Sequence, residues 1–487
     1  MTEVGAMYYK LKPQYCLRGW KFLPYAIVDR EHGENQFVDK EMFDTAELCN
    51  GLVDFSLPLI SKDMRKHLQE LINAGIVEAC PYGETIRGDQ KYFRYDNRFM
   101  KSVHWSVTGR CNCKCRHCYL SCAENRYGEL PHEDIMRIID DMGSCGVLQC
   151  SITGGEPLVR EDFWEIIDAI RERGIVIHQI YSNGLAVNER FLDGLAARGM
   201  FPELNMSFDG VGFHDWLRGM NGAEKKVRRA FELCREYGIP TGSEMCIWKD
   251  NQDALRDSIN YLASVGCRNV KVCPVGNTGA WKEGGYNEEH GITEDELYQI
   301  YINYLDDFYR DLPNIAIQFG NLFAAHGKHP DHYDLPGVHD DADPEKACIC
   351  LHARHNMYIS AEGRALTCMA ISNDEAFTKD FPLVHKTGMK ECLTDSRYMQ
   401  LITTRASEVL AHNEKCADCK YRRFCLGGCR AGGFMFHQGD ILGADESACK
   451  LFMNGWVHRV VKKVRQLRPA AVCPKAKYFE ENGESIV

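Results

Sequence analysis

No run of about 18 consecutive apolar residues occurs in the chain, so no transmembrane helix and no membrane partner are expected. The N-terminal MTEVGAMYYKLKPQYC lacks the continuous apolar segment of a signal peptide, and the expected location is the cytoplasm. Basic residues are in deficit. Fifty-eight Lys and Arg face 69 Asp and Glu, a formal charge of -11. Phosphate backbones are held mainly by Lys and Arg, so this balance argues against a general polyanion binder, and no nucleic-acid partner is expected. It suits a cationic small molecule or a neutral peptide instead. With 45% apolar and 26% charged residues the chain is globular, and 487 residues are too many for one ordinary core.

What is abundant is cysteine: 24 residues, in a chain with no export signal. The cytosol keeps thiols reduced, so clustered cysteines there point to metal rather than disulfides. They gather in two knots, at 111–122 and 416–429, while single cysteines such as Cys234, Cys246 and Cys267 read as core fillers.

The organisation falls into five parts: a module over 1–95, an alternating region over 100–320, a bridge over 321–347, a Cys- and Gly-rich module over 348–455, and a helix with a polar tail over 456–487. In the first, YAIVDREHGENQFVD predicts a β-hairpin around His32, Gly33, Glu34 and Asn35. EMFDTAELCNG predicts a helix closed by Gly51. Ser61 is the expected N-cap of a second helix, with Met64, Leu68, Leu71 and Ile72 on one face, ended by Gly75 before a strand IVEAC. Together they predict a winged-helix-like module. From 100 onward, six apolar strands (SVHWSVTG, LQCSITGG, VIHQIYSNG, LNMSFDG, GSEMCIW, NVKVCPVG) alternate with amphipathic helices. That pattern implies an α/β fold, a partial (β/α)6 TIM-like barrel with its chemistry at the C-terminal strand ends. The bridge 323–347, with His326, His329, His332 and His339, is expected to be a solvated linker rather than a metal site.

Cys111, Cys115 and Cys118 are spaced C-x3-C-x2-C directly after the first of these strands. Three thiolates on one loop suit three irons of a [4Fe–4S] cube, leaving the fourth iron open to a substrate. A structural zinc loop is the alternative, with Cys113 or His117 as fourth ligand. Cys113 and Cys122 fall outside the spacing and are given no ligand role. The second strand ends in Gly154-Gly155-Glu156-Pro157, where two glycines allow close backbone approach. The third ends in Ser182-Asn183-Gly184 and the fourth in Ser207-Phe208-Asp209-Gly210.

With the triplet and GGEP one strand apart, the sequence resembles the radical S-adenosylmethionine superfamily. The resemblance implies that S-adenosylmethionine binds the open iron and is cleaved reductively to a 5′-deoxyadenosyl radical, which abstracts hydrogen from a substrate. It implies cofactor contacts at Gly154, Gly155, Glu156, Pro157, Ser182, Asn183 and Ser207, and at His117, which stands where the family usually has an aromatic residue. Turn formation explains Asn183-Gly184 and Asp209-Gly210 equally well. Arg218 is a further candidate for a carboxylate contact.

The C-terminal order Cys350, Gly363, Cys368, Cys416, Cys419, Cys425, Cys429, Cys449 resembles the SPASM extension of such enzymes, an iron–sulfur domain with two auxiliary [4Fe–4S] clusters. The resemblance implies one auxiliary cluster on Cys350, Cys368 and Cys429, and a second on Cys416, Cys419, Cys425 and Cys449. That makes three [4Fe–4S] clusters with the first knot. Cys348 is either the fourth ligand of the first auxiliary cluster or leaves it an open iron. A zinc ribbon of Cys416, Cys419, Cys425 and Cys429 is the competing reading. Enzymes of this kind act mostly on peptides, and the N-terminal module resembles the leader-recognition element of maturases of ribosomally synthesised peptides; a brace for the barrel is the alternative. The expected partners are a precursor peptide with a leader segment, added as an extra strand, and a low-potential electron donor such as flavodoxin or ferredoxin. Three readings stand: a peptide maturase forming a thioether, a crosslink or another oxidation; a maturase of a protein active-site residue of the sulfatase-maturing type; and a zinc-binding scaffold.

Overall fold

A computed structural model describes residues 6–122, 126–340 and 342–479; the extreme ends of the first and last expected segments, and residue 341 of the bridge, lie outside it. β1 (Tyr8–Leu11) precedes an antiparallel meander of β2 (Tyr15–Trp20), β3 (Leu23–Asp29) and β4 (Glu34–Phe37). The expected hairpin is β3–β4, closed where Asp29 faces Glu34. Gly33 takes φ +66°, and a Cβ there would meet Leu148 O at 2.8 Å, so the turn rests directly on the next domain. α1 (Lys40–Leu48) is capped by the Asp39 side chain, which accepts from Met42 N. It ends before the expected Gly51, because β1 captures the chain: Leu11 N donates to Cys49 O at 3.1 Å and Gly51 N to Tyr9 O at 2.9 Å. α2 (Lys62–Asn73) starts at Ser61, whose hydroxyl accepts from Met64 N at 3.0 Å, as expected. β5 (Val77–Cys80) returns antiparallel to β1, and β6 (Phe93–Arg94) runs parallel beside β2.

The six predicted strands follow as β7 (Ser102–Ser106), β8 (Gln149–Thr153), β9 (Val176–Ser182), β10 (Glu203–Ser207), β11 (Thr241–Ile247) and β12 (Asn269–Pro274), all parallel. Between them lie α3 (His132–Ser144), α4 (Phe163–Glu172), α5 (Glu189–Ala197), α6 (His214–Arg218), α7 (Ala223–Tyr237) and α8 (Leu255–Ser264). The sheet is wider than the six-unit pattern implies. β13 (Ala316–Phe319) adds a parallel strand to β12, and β14 (Phe323–His326) and β15 (Tyr333–Asp334) continue antiparallel. Part of the expected linker is therefore sheet. Its polar letters hide an apolar frame: Phe323, Tyr333, Leu335 and Val338 are buried, with Phe323 stacked on Tyr333 at 5.8 Å.

At the other edge, β16 (Asn356–Ile359) from the Cys-rich module pairs parallel with β7, and β17 (Ala365–Leu366) closes that side. One apolar core runs from Met100 to Phe479, through barrel and Cys-rich module alike. The N-terminal module has its own core around Phe43, Phe55 and Leu71, and a small seam of Cys16, Trp20, Ala26, Val28 and Leu148 against the barrel. Trp20 Nε1 donates to Cys145 O at 3.1 Å across that seam, and Lys101 pairs with Glu34 at 2.5 Å. The C-terminal helix Trp456–Leu467 lies against the barrel helix Glu294–Asp311, where Lys463 pairs with Asp306 at 2.6 Å. Among the described residues no helix is long and apolar enough to cross a membrane.

Candidate active site

The loop after β7 carries the first cysteine knot, and its shape is dictated by the ends of β8, β9 and β10. The two glycines of GGEP serve this loop. A Cβ on Gly155 would stand 2.2 Å from Arg110 O, and one on Gly154 2.6 Å from Thr108 O. Gly155 N donates to Thr108 O and Glu156 N to Arg110 O, each at 2.8 Å. Only glycine lets β8 lie this close to the loop.

Glu156 is fully buried. Its carboxylate accepts from Ser182 Oγ at 3.0 Å, Asn183 N at 2.7 Å and Leu158 N at 3.2 Å. Burial pushes this carboxyl up to about 7, against the pull of those hydrogen bonds. Glu156 and Ser182 thus hold each other, fixing the turn after β9. Pro157 starts the short 3-10 turn that follows. Asn183 reaches onward to the knot: its Nδ2 donates to Asn112 Oδ1 at 2.7 Å and lies 3.5 Å from Cys113 Sγ and 3.9 Å from Cys111 Sγ.

The end of β10, where a cofactor contact and a turn are equally expected, supplies a charged cluster. Asp209, fully buried, accepts from Arg218 Nε at 2.6 Å and from Cys246 N at 3.0 Å. Arg218 Nη1 lies 3.8 Å from Cys115 Sγ. Burial alone would raise the Asp209 carboxyl, but the Arg218 guanidinium overrides it and holds the group well below the usual carboxylate range. His214 Nδ1 accepts from Asp209 N at 3.1 Å. Gly219 ends α6 at φ +63°, with no room for a Cβ beside Lys114 O, which presses α6 onto the knot. Ser207, half-buried, is the last residue of β10.

His117 also lies in this cluster. Among the described residues its buried Nδ1 has no partner, and burial, then Arg218, pushes the imidazole down to about 3, so it is neutral. Its ligand atom lies within 4.8 Å of those of Asp209 and Cys246, but Asp209 already serves Arg218. Within the knot, Cys113 and Cys122 are buried. The Cys122 thiol bonds Cys118 and holds it below the ordinary thiol range.

Among the C-terminal cysteines, burial first, then Cys429 and Cys350, push the Cys368 thiol up to about 11. Cys425 is raised to about 12 by burial, Cys449 and Cys416, and Cys416 also feels Cys419. Cys348 stands beside two cations, 3.1 Å from Arg354 Nη1 and 3.4 Å from Arg405 Nη1. Neither arginine was singled out in the sequence.

Among the described residues, the only trio of Cys, His, Asp or Glu whose ligand atoms all fall within 4.8 Å is His117, Asp209 and Cys246.

Comparison with known proteins agrees with this geometry. Residues 105–262 match the Radical SAM superfamily. PqqA peptide cyclase of Granulibacter bethesdensis is 27% identical over 332 residues, covering 67% of this chain and 82% of that one. An AdoMet-dependent heme synthase of Oleidesulfovibrio alaskensis is 25% identical over 342 residues, covering 68% and 83%. The fold matches Streptococcus suis SuiB, solved bound to its precursor peptide SuiA, with a TM-score of 0.59 at 16% identity, over 91% of this chain and 100% of that one. Residues 105–262, with the cysteine triplet and GGEP turn at adjacent strand ends of a parallel sheet, thus form the radical S-adenosylmethionine domain of an enzyme.

Proposed function

We propose that this enzyme matures a peptide, oxidising it to a crosslink, a thioether or a related product. One observation carries the reading: the likeness to a peptide cyclase runs far beyond the radical domain, over 82% of that enzyme. The SuiB fold match supports it, since 91% coverage takes in the N-terminal module as well as the Cys-rich one.

In this reading Cys111, Cys115 and Cys118 hold a [4Fe–4S] cluster with one iron left open. Cys350, Cys368 and Cys429, with Cys348, hold a second, and Cys416, Cys419, Cys425 and Cys449 a third. When bound, the first cluster and S-adenosylmethionine supply the 5′-deoxyadenosyl radical that removes a hydrogen atom from substrate. The chain's own residues prepare the place. Arg218, fixed by Asp209, offers a guanidinium beside Cys115 to a carboxylate. Asn183, Ser182 and Ser207 line the neighbouring strand ends, and His117 offers a neutral ring. Arg354 and Arg405 offset negative charge at Cys348. The N-terminal module takes the leader of a precursor peptide along β4, the edge strand of its sheet, by backbone pairing. Reducing electrons come from a flavodoxin- or ferredoxin-like donor.

The test is anaerobic reconstitution followed by reaction with peptides encoded beside the gene. About twelve irons per chain, 5′-deoxyadenosine release, and a peptide lighter by two hydrogen atoms are the expected results. Zinc in place of iron, with no cleavage, overturns the reading. The likeness to a heme synthase favours a second reading with a tetrapyrrole substrate. A titration with coproporphyrin separates the two: a shifted Soret band supports the second and an unshifted one removes it.

A further inference from the structure

On β11 and β12, Glu244 and Lys271 are register partners. Their neighbours Met245, Val270 and Val272 are buried, so alternation turns both charged side chains to the opposite face of the sheet, where they are exposed. Among the described residues no hydrogen bond ties up either side chain; the two charges feel each other across the strands, and the donors of the Lys271 ammonium are left for a third group.

Lys271 also lines a cavity of about 510 Å3 that spreads over β12 to β15. Ala316 and Ala324 give it a flat floor, and Gln318 and His326 line it beside them. Its one carboxylate, Asp334, is neutralised by Lys475 at 2.8 Å. His326 is kept from charging by burial, and its Nδ1 accepts from Lys328 N at 3.0 Å. Lys271 is therefore the lysine that lines the groove, and among the described residues no carboxylate is hydrogen-bonded to it. Cys273 first, then Glu244, Cys368 and Cys429, strengthen its positive charge.

We propose that this groove admits the peptide segment to be modified and that Lys271 holds it by a side-chain carboxylate, so that the substrate carries Asp or Glu close to the residue oxidised. The proposal rests on the maturase reading above. An ammonium with open donors gives a charge-assisted bond to a carboxylate and none of comparable strength to an amide. Glu244 across from it makes the lining two-signed, which fits an acidic residue flanked by backbone donors rather than a polyanion.

The probes are two acetylated, amidated pentapeptides, Ala-Ala-Glu-Ala-Ala and Ala-Ala-Gln-Ala-Ala, in equilibrium dialysis against the full iron-loaded chain. The Glu peptide is expected to be retained at least fivefold better. Lys271→Met should abolish that preference at unchanged iron content, and Lys271→Arg should keep it. Equal retention of the two peptides, or a preference that survives Lys271→Met, overturns the proposal. So does loss of iron together with the preference, which would make Lys271 a counter-ion of a cluster. Retention of neither peptide overturns it too, while a precursor peptide that still loses two hydrogen atoms upholds the maturase reading.

Discussion

Arg218 and Asp209 form a buried ion pair, Nε to Oδ2 at 2.6 Å, whose outer guanidinium nitrogen lies against Cys115. Removing one partner of such a pair leaves an uncompensated buried charge, at a cost of about 3–5 kcal/mol. Asp209→Asn should therefore lower the unfolding midpoint of the metal-free protein, measured by denaturant titration. Arg218→Met should lower it by a similar amount, and the double variant Asp209→Asn/Arg218→Met by less than the sum of the two.

The cysteine sets should separate by metal count. Cys111, Cys115 and Cys118 changed together to Ala should remove about four irons per chain and all 5′-deoxyadenosine formation. Changing Cys416, Cys419, Cys425 and Cys449 should remove a similar number while electron paramagnetic resonance still shows the first cluster reducible. Iron and acid-labile sulfide assays check both.

Gly155→Ala places a methyl group 2.2 Å from the backbone oxygen of Arg110, where no side-chain rotation relieves it. The knot has to move, so reconstituted iron should fall by about the content of one cube. Far-ultraviolet circular dichroism should stay as in the wild type.

How much of this was legible beforehand depends on whether a residue's role is local. The six strands and the Ser61 cap follow from periodicity and one side chain, and both were readable. The helix closed early at Leu48 because β1, far back in the chain, captures the carbonyl of Cys49 just past its end and the N–H of Gly51. Strands β14 and β15 were hidden because their polar letters are carried by four buried apolar residues at irregular spacing. At the site, the triplet and GGEP were visible as spacing. Asp209, Arg354, Arg405 and Lys271 were not, since each acts on a cysteine or a neighbour from another element.

Glu156 gives a pH test. Its folded carboxyl is raised to about 7, above its ordinary value of 4.5. The folded state therefore binds the proton more tightly than the unfolded one. The stability this lends is fully present below about 4.5 and is lost as pH rises to about 7. Glu156→Gln should remove that slope, so the difference in unfolding midpoint between variant and wild type should move in the variant's favour from pH 5 to pH 7.

Trp20 at the seam is fully buried, and its indole donates to Cys145 O. Trp20→Ala should cost about 3–5 kcal/mol locally and expose the segment joining module to barrel. Limited proteolysis should then cut between residues 80 and 100 faster than in the wild type.

Ser102, at the start of β7, donates its backbone N–H to His355, 253 residues later in the chain. The first strand of the barrel to leave the ribosome therefore keeps one bare edge until most of the protein has been synthesised. At common elongation rates that interval lasts about 10–50 seconds, long enough for an unpaired strand to meet another nascent chain. A truncation that ends before β16 makes that exposure permanent, so such fragments should aggregate even though every barrel helix is present. Assembly of the Cys-rich module is thus the event that seals the sheet, and the yield of native protein is set at its last third.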